Sequence, residues 1–511
     1  MLIAILLIYI AIMLGIGIYC KKHTADVSGF LLGGRNIGAW MTAFAYGTSY
    51  FSAVVFIGYA GQFGWNFGIA ATWIGIGNAI IGSILPWLIL GNRTRVMTKE
   101  MNAQTMPEFF EKRYGSKTLK ISAAVIVFIF LIPYTASVYN GLSRLFESAL
   151  NVPYEACIIA MAALTAVYVI AGGYMATAVN DFIQGIIMLI GIVAVVAFVV
   201  SGQGGFSNAL AELALIPDNA GNTGTLNTVF GPDPINLFGV IILTSLGTWG
   251  LPQMAQKFYA IKDRKSVTRG TVISGIFALI VAGGSYFMGG FGRLYVNTED
   301  IALPTGKLSF DAIVPAMLMD VLPEILIGVV IVLVLSASMS TLSSLVLTSS
   351  STLTIDLIKP VSKKPIDDKK QVFIMRLLIV AFVLISVIIA LNPNAYISTL
   401  MSISWGALAG AFLAPYLYGL FSKKITKAAC IASFVVGVGI TVGHMFLFSL
   451  GLFPQLNAAV AGFPLNLASP INAGAFSMLI NLVTVPLVSS FTKPKNPEYV
   501  DELFTKCGEW H

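Results

Sequence analysis

The sequence predicts an all-α polytopic membrane protein of about thirteen transmembrane helices. Three observations predict it. The 511 residues are 57% hydrophobic and 10% charged, with a mean hydropathy of +0.85, whereas a soluble globular domain is roughly 25% charged. Apolar stretches of about 20 residues, the length that crosses a bilayer as a helix, recur from end to end. Basic residues collect in every second loop between those stretches, as in cytoplasmic loops of membrane proteins.

The expected spans are 1–20, 38–61, 69–91, 120–147, 152–171, 179–201, 236–258, 270–291, 322–350, 371–392, 395–421, 427–450 and 471–491. The first is followed by Lys21-Lys22 and lacks a small-residue cleavage site, so it is expected to stay as a helix rather than be removed as a signal peptide. Odd-numbered spans end at Lys21-Lys22, Arg93 and Arg95, Lys262 to Lys265, Lys363-Lys364, Lys423-Lys424, and Lys493 with Lys495. Only the fifth ends without a basic flank. Of the 30 basic residues, all but Arg144, Arg293 and Lys307 fall on one side. The N-terminus is then outside and the C-terminus cytoplasmic. The net charge of +7 is a topology signal and does not point to nucleic acid.

The second span reads Ala45-Tyr46-Gly47-Thr48-Ser49-Tyr50-Phe51-Ser52, and the seventh Gly247-Thr248-Trp249-Gly250-Leu251-Pro252-Gln253. Glycine and proline break helices and free backbone carbonyls, and such backbone is tolerated at membrane depth where it lines a cavity. The breaks lie five spans apart, so the two helices run in opposite directions. That is the pattern of an inverted repeat with a central site. The expected organisation is a first helix and loop (1–37), spans two to six (38–201), an external loop rich in Gly and Asn (202–235), spans seven to eleven (236–421), two further spans (422–491) and a polar tail (492–511). Residues 97–118 are expected to form a loop with an amphipathic helix, and 292–321 a loop with a short helix.

Within the ninth span, residues 337–344 read Ala-Ser-Met-Ser-Thr-Leu-Ser-Ser. Ser340, Ser343 and Ser344 share a helix face at spacings of three and four. Hydroxyl and carbonyl oxygens suit hard cations such as sodium, although hydroxyls in membrane helices also serve as packing residues that bond back to the helix. The four cysteines (Cys20, Cys157, Cys430, Cys507) and three histidines (His23, His444, His511) are scattered, with no metal-binding spacing. No nucleophile–base pair or phosphate loop marks an enzyme.

At these residues the chain resembles the sodium:solute symporter family, which includes sodium/glucose, sodium/proline and sodium/pantothenate transporters. Phe30-Leu31-Leu32-Gly33-Gly34-Arg35 resembles the family's motif before the second span, and Arg144-Leu145-Phe146-Glu147-Ser148 resembles its proline branch. Gly172-Gly173-Tyr174 followed by Asn180-Asp181 and Gln184-Gly185 is similar to a further signature, and Gly250-Leu251-Pro252 with Lys262-Asp263 and Arg269-Gly270 to the pantothenate branch. Met339-Ser340-Thr341-Leu342-Ser343 matches the sodium motif.

The resemblance implies a LeuT-like 5+5 inverted repeat and sodium as the co-transported ion. It places the main sodium site on the carbonyls of Thr48, Phe51 and Ala337 and the hydroxyls of Ser340 and Thr341. A possible second sodium site falls on Ser340, Ser343, Ser344 and Asp181; Asp181 alternatively lines the ion's exit path. Substrate contacts fall on Tyr50, Val54, Val55, Thr244, Ser245, Thr248 and Trp249. The sugar branch is polar at Val54 and Val55. The proline branch is aromatic at Thr244 and Thr248 and acidic at Tyr50. The implied cargo is a monocarboxylate, a pantothenate-like solute or an amino acid, imported across a plasma membrane, with a prokaryotic inner membrane the simplest reading of the compact loops. A proton-coupled symporter using Asp181 is the alternative, a transporter-like sensor or a channel more distant ones.

Overall fold

The computed structural model describes residues 2–20, 26–302, 308–362, 365–391 and 397–508. Lys21-Lys22, His23, Lys307, Lys363-Lys364 and His511 lie outside them. Among the described residues the regular structure is all helical, with two isolated β-bridges and no strand.

The first third runs α1 Leu2–Cys20, α2 Val27–Leu32, α3 Ala39–Tyr50, α4 Ala60–Phe67, α5 Thr72–Ala79, α6 Asn92–Glu100, α7 Met106–Tyr114 and α8 Lys117–Leu150. Then come α9 Tyr154–Gly202, α10 Phe206–Leu215, α11 Pro234–Gly250, α12 Pro252–Ala260, α13 Arg264–Gly289 and α14 Ile313–Val321. The last part holds α15 Glu324–Thr352, α16 Lys359–Val361, α17 Asp368–Ala390, α18 Ile397–Phe421, α19 Lys427–His444, α20 Pro454–Val460, α21 Pro470–Ser490 and α22 Pro497–Gly508. Side-chain caps set the starts of many of these helices. Thr105, Ser116, Asp233, Asp263, Asp367 and Thr426 each accept an amide of the first turn, which satisfies a donor the helix itself leaves open.

Among the described residues, nine helical stretches are long and apolar enough to cross a membrane, or ten if the pair α11 and α12, bent by 47°, is one. Two of the nine, Val54–Glu100 and Tyr154–Gly202, are interrupted at a single glycine. Gly68 has φ 60° and ψ −140°, and Gly173 has φ 53° and ψ −153°. Only glycine adopts that region readily. The sequence reading left 172–178 between the fifth and sixth spans, whereas the helix resumes at once after Gly173.

Helices approach closely through small residues, as membrane helices do. A Cβ on Gly64 would overlap the Gly289 carbonyl, and one on Gly406 would lie 2.9 Å from the Gly474 Cα. Large apolar side chains such as Leu7, Leu88, Ile190, Phe373 and Val483 face outward.

One end of the bundle gathers the basic residues. There Arg35 donates to Thr98 and to the Tyr259 and Ala103 carbonyls, and Arg113 donates to the Gly419 and Ser422 carbonyls. Ile37 N–H donates to the Ala260 carbonyl, and Lys262 N–H to the Ile37 carbonyl, both at 3.1 Å. This strap joins the chain entering α3 to the chain leaving α12. Lys120 pairs with Glu111 at 2.9 Å and with Glu108 and Asp356 at 3.6 Å. At the opposite end Arg293 lies over Trp65 and donates to Pro217 and Asn219.

Two expectations change. The tail 492–511 contains helix α22, because Val500, Leu503, Phe504 and Cys507 bury one face of it. Lys257, counted with the loop charges because it ends the seventh span, sits inside α12 and is 2% exposed.

Candidate functional site

The break in the second span is where the site begins. Phe51 N–H donates to the Gly47 carbonyl at 3.1 Å, the last helical bond of α3. Phe51 then turns extended, at φ −106° and ψ 108°. The carbonyls of the final turn, from Thr48 onward, are therefore left without the amides that would continue the helix. Ser52 restarts the chain by accepting Val54 N–H on its hydroxyl at 3.2 Å.

Helix α15 brings its hydroxyls to these carbonyls. Thr341 Oγ1 lies 3.3 Å from the Thr48 carbonyl, 3.4 Å from that of Ser49 and 3.1 Å from that of Ala337. One hydroxyl has one proton to give, so three acceptors converge where at most one is fully bonded. Ser340 Oγ is fully buried with no hydrogen-bond partner among the described residues. Neutral oxygens gathered without enough donors are what a desolvated hard cation requires. Of the five predicted ligands, Thr48, Ala337 and Thr341 come together directly. Phe51 lies against Tyr50, with ring centroids 4.2 Å apart, and its carbonyl makes no bond to α15. Sequence reasoning missed the Ser49 carbonyl, since nothing in the residue order separates it from its neighbours.

One turn along α15, Ser344 Oγ lies 2.8 Å from Ser49 Oγ and accepts from Lys257 Nζ at 3.0 Å. Lys257 Nζ is 3.7 Å from Asp181 Oδ2 and 5.3 Å from the Tyr174 ring centroid. Ser343 donates to the Ser340 carbonyl at 2.8 Å. Ser340 and Lys257 face the Asp181 carboxylate, which receives no closer hydrogen bond among the described residues. Ser344 and Asp181, two of the four predicted for a second ion, thus share one ammonium, a residue that sequence reasoning missed. At about 4 Å two unit charges interact by roughly 4 kcal/mol at an effective dielectric near 20, so Lys257 weighs heavily on any further cation there.

The predicted substrate residues divide. Tyr50 Oη donates to the Thr244 carbonyl at 2.6 Å, tying the two interrupted helices together. Thr248 Oγ1 lies 2.9 Å from the Gly82 carbonyl, which also accepts Tyr46 Oη at 2.8 Å. Ser245 donates to Asn78 at 3.1 Å and Trp249 Nε1 to the Ile81 carbonyl at 2.7 Å. Val54 and Val55 open a π-helical turn after the break and are buried. Trp405 on α18 stacks on Tyr50 at 6.0 Å and meets Tyr134 edge-on at 5.8 Å. Trp405 Nε1 and Tyr134 Oη are both buried polar groups that face each other and make no other hydrogen bond among the described residues. Neither was predicted, because each lies in a span that reads as ordinary apolar helix. Toward the end opposite the basic residues, a cavity of about 470 Å³ lined by Gln62, Asn66, Asp233, Asn236 and Asn472 reaches Val240, one turn before Thr244.

Comparison with known proteins identifies the family. Residues 30–437 match the sodium:solute symporter family. The osmoregulated proline transporter of Bacillus subtilis is 31% identical over 84% of this chain and 86% of its own length. A sodium/proline symporter of Salmonella typhimurium is 28% identical over 84% and 85%. In fold, the chain resembles an outward-open sodium-coupled sialic acid symporter, with a TM-score of 0.74 at 17% identity, covering 96% of this chain and 98% of that one. A nucleobase-cation-symport-1 family transporter in a closed conformation follows, with a TM-score of 0.52 at 13% identity over 95% and 99%. The chain belongs to the sodium:solute symporter family; it is a multi-pass membrane transporter rather than an enzyme, and sodium is its co-transported ion.

Proposed function

We propose that this protein imports a small carboxylate-bearing solute, an amino acid first among them, together with sodium by alternating access. The observation that carries the ion assignment is the convergence of the Thr48, Ser49 and Ala337 carbonyls on Thr341 Oγ1 beside the unpartnered Ser340 hydroxyl. Sodium entering there takes the place of missing donors and links α3 to α15. Such a ligand stabilises the conformation in which both helices meet.

The solute is read from the space between the interrupted spans. Trp405 Nε1 and Tyr134 Oη, buried side by side with no other hydrogen bond among the described residues, offer bonds to a carboxylate. Val54, Val55 and the stacked rings of Tyr50 and Trp405 offer an apolar wall. A sugar, needing many hydrogen bonds, finds few there. The relatives named as proline transporters support an amino acid of similar size, and Thr244, Thr248 and Tyr50 set this chain apart within that branch.

The architecture that goes with this reading has thirteen spans. The interruptions at 51–53, Gly68, Gly173 and Leu251, taken as breaks or turns, support that count. Spans two to six (38–201) and seven to eleven (236–421) then form the inverted repeat. The basic end is cytoplasmic, with the N-terminus outside, and the cavity at Val240 is the outer vestibule. Membrane potential then drives the ion inward, by about 2.3 kcal/mol per charge per 100 mV.

The test is a thermal-shift screen of the purified protein in sodium and in potassium, with amino acids, monocarboxylates, pantothenate and sugars. A ligand of the folded state raises apparent stability by mass action. A sodium-specific shift enlarged by one solute class is the expected result and names the cargo. A shift that ignores sodium and follows pH would replace sodium coupling with proton coupling.

A further inference from the structure

Lys257 lies where a loop charge has no reason to be. It is one turn from the polar end of α12, 2% exposed, and its ammonium is shared by residues of two other helices: Ser344 of α15 at 3.0 Å and Asp181 of α9 at 3.7 Å. Ser344 in turn meets Ser49 of α3 at 2.8 Å. Four helices therefore converge on one cationic group, one helical turn from the oxygen cluster around Thr341.

These neighbours make a cation site in chemical terms. Asp181 is 0% exposed, and only the Ser340 hydroxyl and the Lys257 ammonium face its carboxylate, neither in a close hydrogen bond among the described residues. A buried carboxylate is costly unless a cation or donors compensate it. Here the compensation is supplied by the chain itself. The Ser343 hydroxyl, directed to the Ser340 carbonyl, is committed as a donor within its own helix.

We propose that the Lys257 ammonium is a tethered cation that fills the position of a second co-transported ion, so that one sodium, not two, binds per solute. This rests on the sodium-coupled reading above and sets its stoichiometry. Asp181, Ser343 and Ser344, with Ser340, have the composition of an ion site, but a mobile sodium entering there would face a fixed like charge with no second carboxylate to balance it. Lysine can fill the site and cannot leave it. The charge carried per cycle is then that of one sodium plus the solute.

The experiment counts sodium. Equilibrium binding of radioactive sodium to the purified full chain should give one ion per protein in the wild type, with a Hill coefficient near 1. Lys257→Met, which leaves Asp181 uncompensated, should bind two ions with a Hill coefficient clearly above 1. Lys257→Met combined with Asp181→Asn should return to one. Two ions in the wild type overturn the proposal while leaving sodium coupling intact, whether or not the variants fold. One ion in a folded Lys257→Met also overturns it, because Lys257 is then not what excludes the second. No sodium bound to the wild type rejects the sodium-coupled reading itself, and this inference with it.

Discussion

Thr341 Oγ1 lies 3.3 Å from the carbonyl of Thr48, a residue 293 positions earlier in the chain. This contact bridges the interrupted second span and the hydroxyl-rich ninth. Thr341→Ala or Ser340→Ala removes one oxygen from the proposed cation site. A bond to a charged group is worth about 1.5–3 kcal/mol, so the sodium concentration for half-maximal uptake should rise roughly 10- to 100-fold. Solute uptake against sodium at constant ionic strength measures it. Unchanged uptake at low sodium in both variants would remove these residues from the ion site.

Gly173→Ala should fail for two reasons. The backbone is held at φ 53° and ψ −153°, and a Cβ would lie 2.8 Å from the Phe30 ring and 2.9 Å from its carbonyl. Strain in that region costs about 1–3 kcal/mol before any clash. The expected outcome is poor yield and a lowered melting temperature in detergent. Gly34→Ala, where a Cβ meets nothing within 4 Å, should cost less despite its positive φ of 68°.

Lys120 is the common partner of Glu108, Glu111 and the fully buried Asp356. Lys120→Met strands three carboxylates, and breaking a buried pair from one side costs about 3–5 kcal/mol. Adding Asp356→Asn, which keeps a group able to bond Thr105 Oγ1 at its present 3.0 Å, should recover part of the lost melting temperature. If the double variant melts no higher than the single one, the buried charge is not the source of the loss.

Asp311, in the loop before α14, gives a pH dependence. Burial raises its carboxyl from 3.8 to about 6, against the lowering effects of Ile397 N–H and Arg144. Between those values the folded protein binds the proton more tightly than the unfolded chain does. Stability from this group therefore grows as pH falls through 6 and is fully gained below about 4, by up to roughly 3 kcal/mol. The difference in melting temperature between the wild type and Asp311→Asn should shift in favour of the wild type from pH 7 to pH 5. A difference that stays constant over that range would contradict the raised value.

Much of this was legible in the residue order because it is local. A Gly-Thr-Ser-Tyr run ending a helix, a Gly-Leu-Pro break and four hydroxyls within one turn carry their meaning in a few adjacent positions. Lys257 was not legible, because at the end of an apolar span it reads like every other topological lysine, and its partner Asp181 is 76 residues away. Trp405 and Tyr134 were missed for a similar reason, as their polar atoms matter only once Tyr50 is placed against them. Helix α22 escaped notice because its apolar face is narrow and interleaved with charge. The single-residue interruption at Gly173 was read as a loop because a membrane crossing normally ends in several polar residues.

The strap at the basic end has a consequence for the order of events in transport. Reciprocal backbone bonds between Ile37 and the Ala260–Lys262 segment splint the second span to the seventh. Tyr50, Thr244, Thr248 and Trp249 then travel as one piece. The oxygens of the proposed sodium site do not, since Thr48 and Ser49 ride on the splinted pair and Ala337, Ser340 and Thr341 on a separate helix. On that proposal the ion works as a removable rivet across a sliding joint, the solute carried by one plate while the ion reports whether the two plates are still aligned.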